Sequence, residues 1–476
     1  MNILFVASEC APFVKTGGLA DVIGALPKAL GALGHSVRVL LPAYPAFDAI
    51  KKNGVAVLAR LDLFGGPVQL IATQASGIDL LLLDAPHLYD RGGTIYLDAN
   101  GEDWADNHLR FGGLCQVAAQ VMQRGAGGWK PNVMHAHDWQ AGLAPFYLKQ
   151  MGARFPTITT IHNIAFQGLF EAETRHRLGI IDASFTVDET EYWGKLSFLK
   201  AGLTASDAIT TVSPTYAREL MQPAFGMGLE GVLQHRQDSL SGILNGIDTE
   251  VWNPATDKHL ASPYTGRSFK RRAANRAALE ERFALTPQGD APLFCVISRL
   301  TRQKGLDVLL DAIPHLLYCG AQLAVLGTGD RDLEEGFTQA AQTHSGRIGV
   351  DVGYDESLAH LLQGGADSII IPSRFEPCGL TQLYGLRYGC LPLVAHTGGL
   401  ADTVVDATPQ TLKQKTATGF VCTPGHGDSL RDTITRACDL FAQPKKWAQM
   451  RRTAMGQVLD WEQSAREYEA LYRSLL

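Results

Sequence analysis

The chain has 476 residues, 46% hydrophobic content and a formal net charge of -6 at pH 7, which predicts two to three domains with sizeable cores. The acidic balance and the lack of a long basic run argue against nucleic acid or an anionic membrane surface as the main partner. Eight scattered cysteines without a CxxC pair read as a reduced, cytoplasmic protein; the start lacks a signal peptide's basic and apolar regions, and no stretch approaches a membrane span.

In chain order, residues 3–7 read as an apolar strand, 10–18 as a loop, 22–33 as an apolar-periodic helix and 37–41 as a second strand closed by Pro42, together a βαβ unit. Pro27 falls inside that helix pattern, so either the helix kinks there or its start lies later. Short strands at 55–58, 68–71 and 78–83, separated by Gly65-Gly66-Pro67 and Ser76-Gly77, predict a small meander. Strands at 133–137, 157–162 and 208–212, spaced by helix-length segments, complete a doubly wound first domain. Residues 232–292 read as irregular, through Leu244-Asn245-Gly246-Ile247-Asp248 and Lys270-Arg271-Arg272, and the domain boundary belongs near the start of that stretch. A second series follows, with strands at 293–298, 322–326, 348–352, 368–371, 391–395 and 419–422. Its clearest helix carries Leu306, Leu309, Leu310, Ile313, Leu316 and Leu317 on one face. The fold class is α/β, with two Rossmann-like doubly wound domains over residues 1–241 and 242–456. The tail, residues 457–476, places Trp461, Ala465, Tyr468 and Tyr472 at near-helical spacing; such a helix could return to the first domain or cap its own.

The most informative stretch is Ser373-Arg374-Phe375-Glu376-Pro377-Cys378-Gly379-Leu380-Thr381-Gln382-Leu383, between the strand at 368–371 and a helix-like segment through Tyr388. It sets a carboxylate on a strand-to-helix loop, where open α/β sheets bind ligands and a helix start attracts phosphate. The competing reading of Glu376 is an acid that merely complements the helix dipole. Ser298-Arg299-Leu300-Thr301-Arg302-Gln303-Lys304-Gly305 puts cations at another strand end, as a diphosphate needs, or as a solvated basic turn. Thr16-Gly17-Gly18-Leu19-Ala20-Asp21 recurs as Thr397-Gly398-Gly399-Leu400-Ala401-Asp402, and the paired glycines could form an anion-binding nest in each copy or be chance or simple turn chemistry between a strand and a helix. Gly327-Thr328-Gly329-Asp330 lacks the third glycine of a dinucleotide fingerprint. Asp330-Arg331-Asp332 reads as a helix cap and first turn rather than a metal pair. His135 and His137 share one strand face without further ligands at metal spacing, and with His162-Asn163 they fit hydrogen bonding to a polyol or a place in the core.

Taken together, Lys15-Thr16-Gly17-Gly18-Leu19-Ala20-Asp21-Val22, Asp84-Ala85-Pro86-His87-Leu88-Tyr89-Asp90-Arg91, His135-Ala136-His137-Asp138-Trp139 and the stretch 373–383 resemble the bacterial glycogen synthases, retaining GT-B glucosyltransferases, nearly end to end. The resemblance implies an inter-domain cleft, a C-terminal helix returning to the N-terminal domain, and transfer of glucose from ADP-glucose to the non-reducing end of an α-1,4-glucan, with no cofactor and no metal. It implies that Lys15, Gly18, Arg299, Lys304 and the N–H groups near Leu380 and Thr381 hold the diphosphate, that Tyr354 stacks on the base, and that Glu376 meets the donor sugar. His162 and Asn163 would flank the reacting carbon, and Glu9, Tyr96 and Asp138 would serve the sugar or acceptor. Asp21, Asn245, Cys378 and Gly379 complete the substrate-binding set. The wider retaining class often has a second Glu eight positions after the first; here Tyr384 stands there, as in the glycogen and starch synthase subgroup. A silent sugar-nucleotide-binding protein and a glycoside hydrolase are the alternatives. The joint presence of Glu376, Arg299 and Lys304 speaks against the first, and the lack of an opposing acid against the second.

Overall fold

The computed structural model describes residues 1–60 and 62–476. Contacts divide the chain into two compact units, Met1–Asn245 with Trp461–Leu476, and Gly246–Asp460.

Unit 1 contains strands β1 (Asn2–Val6), β2 (Ser36–Pro42), β3 (Val55–Arg60), β4 (Val68–Ala75), β5 (Ile78–Asp84), β6 (Val133–His137), β7 (Thr157–Ile161), β8 (Leu169–Glu171), β9 (Glu191–Tyr192), β10 (Lys195–Ser197), β11 (Ala208–Thr211) and β12 (Leu240–Gly242). Among the described residues, nine of them form a sheet in the order β12-β11-β7-β6-β1-β2-β5-β4-β3. Pairing is parallel from β12 to β5 and antiparallel across β3, β4 and β5, so the expected meander is an extension of the main sheet. β6 and β7 are buried along their whole length, which is why they read as continuous runs rather than alternating ones. The chain leaves β1 toward β2 on one side and later returns as β6 on the other, so the switch point lies between β1 and β6.

Unit 2 contains β13 (Leu293–Ile297), β14 (Gln322–Gly327), β15 (Ile348–Val352), β16 (Ser368–Ile371), β17 (Leu391–Ala395) and β18 (Phe420–Cys422). These form a parallel sheet in the order β15-β14-β13-β16-β17-β18, with its switch point between β13 and β16. Helix Leu306–Tyr318 buries Leu306, Leu309, Ile313 and Leu316 as its periodicity requires. No described helix is long and apolar enough to cross a membrane.

Three expectations need correction. The first helix runs Gly18–Ala32, starting earlier than expected and continuing through Pro27. Burial of Leu19, Val22, Ile23, Leu26 and Leu30 on one face is large enough to offset the roughly 3 kcal/mol that an internal proline costs. Residues 232–292 are not irregular throughout, because β12 joins the sheet edge beside β11 and a helix spans Arg272–Arg282. Three residues are too few to show alternation, and the helix buries Arg272, Asn275 and Glu280 beside Leu279, a face held by polar contacts that no apolar period announces. Finally, β8, β9 and β10 form a separate antiparallel sheet too short for its pattern to be read.

The C-terminal helix Glu462–Leu475 belongs to unit 1. Its buried stripe of Ala465, Tyr468 and Tyr472 follows buried Trp461. Ser464 Oγ donates to Leu244 O at 2.5 Å, and Tyr472 Oη lies 2.8 Å from His135 Nδ1, so the tail is fastened by hydrogen bonds as well as by apolar packing.

Candidate active site

In unit 2 the loops that leave β13 and β16 flank the switch point. Lys304 comes from the first and Glu376 from the second, and Lys304 Nζ sits 2.5 Å from Glu376 Oε2. Ser373 Oγ donates to the same oxygen at 2.9 Å. Gly305, with φ +68°, lets the first loop turn directly under the Pro372 carbonyl, where a Cβ would collide. Gly379 adopts the same left-handed φ, and Gln382 Nε2 ties the turn by donating to the Cys378 and Gly379 carbonyls at 3.0 and 2.9 Å. Helix Thr381–Tyr388 follows with Leu380 at its N-cap and no side-chain cap, leaving the positive end of its dipole to the loop.

The other cations of these two loops divide. Arg302 pairs with Asp332 at 3.1 Å, and Arg374 is held in a fork by Asp307 at 2.6 and 2.7 Å. Arg299 is exposed and has no side-chain partner among the described residues. Tyr354, 74% exposed on the turn after β15, donates its hydroxyl to Glu356 at 3.1 Å.

The second glycine repeat corrects an expectation. Gly399 N donates to the Glu376 and Pro377 carbonyls at 3.2 and 3.1 Å, and a Cβ on Gly398 or Gly399 would overlap the Glu376 or Cys378 carbonyl. These glycines carry the Glu376 loop and are not a free anion nest. In the first repeat a Cβ on Gly17 or Gly18 would meet nothing within 4 Å. There Gly17 N donates to Glu9 Oε2 at 3.2 Å, and Gly18 opens its helix without a side-chain cap. Identical hexapeptides therefore do different work: the second is closed by packing, the first faces open space.

In unit 1 the loop after β1 holds Glu9, which is buried yet accepts from Thr16 N at 2.6 Å, Thr16 Oγ1 at 2.9 Å and Tyr96 Oη at 3.0 Å. Tyr96 Oη also lies 2.7 Å from Ser8 Oγ. Burial raises the Glu9 carboxyl above its ordinary value against the pull of these hydrogen bonds. Lys15 reaches Asp21 at 2.8 Å. Across the switch point, Asp138 follows β6 with a left-handed φ of +55°, a conformation Asp tolerates better than most residues. Its Oδ1 accepts from His162 N at 2.7 Å and Asn163 N at 3.4 Å, which ties the ends of β6 and β7. Burial pushes the Asp138 carboxyl up to about 7. Asn163 Oδ1 accepts from Ala165 N at 3.0 Å. His137 Nδ1 lies 3.0 Å from His162 Nε2, and burial lowers both imidazoles, His162 to about 3. Asn245 is buried with Oδ1 unpartnered among the described residues, at the end of the unit's first segment.

The predicted residues thus fall into local groups. Glu9 and Tyr96 touch, as do Asp138, His162 and Asn163, and Lys304 and Glu376; Arg299, Tyr354 and Asn245 stand apart from these contacts. Sequence reasoning missed Ser8, Thr16 and Ser373, although each adjoins or lies within a quoted motif. Asp330 occupies an N-cap position without a side-chain cap bond; Glu334 instead accepts from Thr328 Oγ1 and Gly329 N at 2.6 and 2.8 Å. No group of three or more His, Cys, Asp or Glu that could hold a metal occurs among the described residues.

Comparison with known proteins agrees across the whole chain. Residues 2–235 match the family described as Starch synthase catalytic domain, and residues 278–454 match Glycosyl transferases group 1. A glycogen synthase of Roseobacter denitrificans is 59% identical over all of both chains, and one of Jannaschia sp. is 52% identical over 99% of each. Among solved structures, the catalytic domain of starch synthase IV from Arabidopsis thaliana, bound to ADP and acarbose, has a TM-score of 0.88 and 29% identity over 99% of each chain.

Proposed function

The chain belongs to the glycogen synthase family, retaining glucosyltransferases of GT-B fold, and on that premise we propose that it transfers glucose from ADP-glucose to the non-reducing end of an α-1,4-glucan. The observation that carries this reading is the Lys304–Glu376 ion pair, set on two strand-end loops beside the uncapped start of helix Thr381–Tyr388. The starch synthase IV structure is bound to ADP and acarbose.

Breaking the bond between glucose C1 and the β-phosphate oxygen leaves negative charge on ADP and an oxocarbenium-like sugar. Arg299, Lys304 and the N–H groups of the helix start stabilise the leaving diphosphate, the arrangement electrostatic catalysis needs. The family resemblance assigns Lys15 and Gly18 to the diphosphate as well, and nothing lies within 4 Å of where a Gly18 side chain would be. Glu376 orients Lys304 and meets the donor sugar, while Tyr354 offers its exposed ring to the base. In unit 1, His162, Asn163, Asp138, Glu9 and Tyr96 bind the sugar and the acceptor. The acceptor hydroxyl attacks from the face the phosphate leaves, and its proton passes to a departing phosphate oxygen, so the products are the elongated glucan and ADP. Protein cations and helix N–H groups meet the phosphate charge without a metal in this scheme. Transfer of radiolabelled glucose to glycogen from a panel of sugar nucleotides tests the reading: label from ADP-glucose alone, or well ahead of UDP-glucose, is expected, and no transfer from any donor would overturn it.

A further inference from the structure

His137 ends β6, His162 directly follows the neighbouring β7, and the two are joined by a hydrogen bond of 3.0 Å between His137 Nδ1 and His162 Nε2. Both rings are buried, and burial holds both neutral, so the bond contains one proton and one lone pair. Which ring donates is decided at the far side of His137. Its Nε2 is buried without a partner among the described residues, and the His137 ring centroid lies 4.9 Å from that of Phe5 and 4.1 Å from that of His135. If His162 were the donor, His137 would have to carry its own proton on that orphan Nε2, and a buried N–H without an acceptor is the arrangement folded proteins most avoid. If His137 donates, only a bare lone pair is left unpaired, which is the lesser defect.

We propose that His137 is a positioning residue for the transfer reaction: its Nδ1–H donates to His162 Nε2 and so fixes His162 as the Nδ1–H tautomer, presenting a hydrogen-bond donor to a sugar oxygen. His162 Nδ1 has no partner among the described residues and is not one of the atoms sealed from solvent, so it is the edge available to a ligand. Asp138 fixes the same residue from its backbone side by accepting from His162 N. An Nδ1–H cannot take a proton, so His162 is a donor to the substrate and not its general base. This rests on the glucosyltransferase reading for the identity of the ligand, but not for the tautomer.

The test is long-range proton–nitrogen NMR of the full chain labelled with nitrogen-15 histidine, with His162 assigned from the signals lost in His162→Asn. Without substrate, His162 Nε2 should resonate as an unprotonated, hydrogen-bonded nitrogen and Nδ1 as a protonated one from pH 6 to pH 9. The reverse pattern overturns the proposal whether or not glucose transfer is ever observed. Replacement His137→Asn keeps an N–H at the Nδ1 position and should retain the pattern, whereas His137→Phe should give mixed tautomers and about a tenfold lower kcat with donor KM little changed, the scale of one misdirected hydrogen bond. A His137→Phe enzyme with normal kcat and the wild-type pattern would refute it, and if that variant does not fold, the wild-type spectrum alone decides.

Discussion

Lys304 Nζ and Glu376 Oε2 lie 2.5 Å apart although 72 positions separate the two residues in the chain. Both are largely shielded from solvent, so each neutralises a charge that would otherwise be stranded at the switch point of unit 2.

Removing one partner should therefore cost activity and stability together, while removing both should recover only stability. Glu376→Gln is expected to lower kcat by roughly 100- to 1,000-fold with little change in KM. Lys304→Met should destabilise unit 2 by about 1 to 3 kcal/mol by leaving Glu376 unpaired, and the double variant should regain much of that without regaining turnover. Steady-state kinetics with denaturant melts of the four proteins measure this; a Glu376→Gln enzyme with near-normal kcat would show the assignment to be wrong.

The two glycine repeats should respond differently to the same substitution. Gly398→Ala drives a methyl into the Glu376 carbonyl at a φ of +44° and should lower both melting temperature and kcat. Gly18→Ala meets no protein atom, so it should leave the melting temperature within about 1 °C, the scale of a neutral surface change, while raising the KM for ADP-glucose. Equal losses of stability in the two variants would contradict the distinction.

Acidification should unfold unit 1 early. Burial lowers His135, His137 and His162, so the folded chain keeps them neutral while the unfolded chain protonates them near pH 6.5. Their stabilising contribution is complete above that value and is lost as pH falls. Asp138 and Glu9 are shifted upward and act with the opposite sign: their contribution is present at low pH and lost as pH rises, for Asp138 through about 7. The carboxyls offset only part of the histidine effect, because burial also lowers His35 and His108 in the same unit, so stability should fall below pH 6.5, each uncompensated proton being worth on the order of 1.4 kcal/mol per pH unit. A melting temperature that holds steady or rises between pH 7 and pH 5 would contradict this balance.

Chelation should leave turnover intact. Asp332 is engaged by Arg302 at 3.1 Å and Asp330 stands at a helix start, so Asp330→Asn and Asp332→Asn are each expected to keep kcat within about threefold, the range of a surface substitution. Turnover abolished by EDTA and restored by magnesium or manganese would show that the phosphate charge is not met by protein groups alone.

What the sequence determined by itself is whatever a local pattern records. Strands buried on both faces, such as 133–137 and 368–371, appear as short apolar runs, and helices such as Leu306–Tyr318 show their core stripe, because burial repeats with the geometry of the element. The motifs around Lys15, His137 and Glu376 also carried the family resemblance unaided. Pattern failed where an element is only two or three residues long, as in β9 and β12, or where its buried face is polar, as in Arg272–Arg282. Tertiary structure alone decided which of two identical glycine hexapeptides is packed against a carbonyl and which faces open space. It alone joined His135 to Tyr472 across 337 positions and gave the His137 side chain His162 as its hydrogen-bond partner. The reason is physical: periodicity reports which side of an element is buried, whereas hydrogen-bond partners follow from strand order and register, which bring distant segments to the same sheet edge.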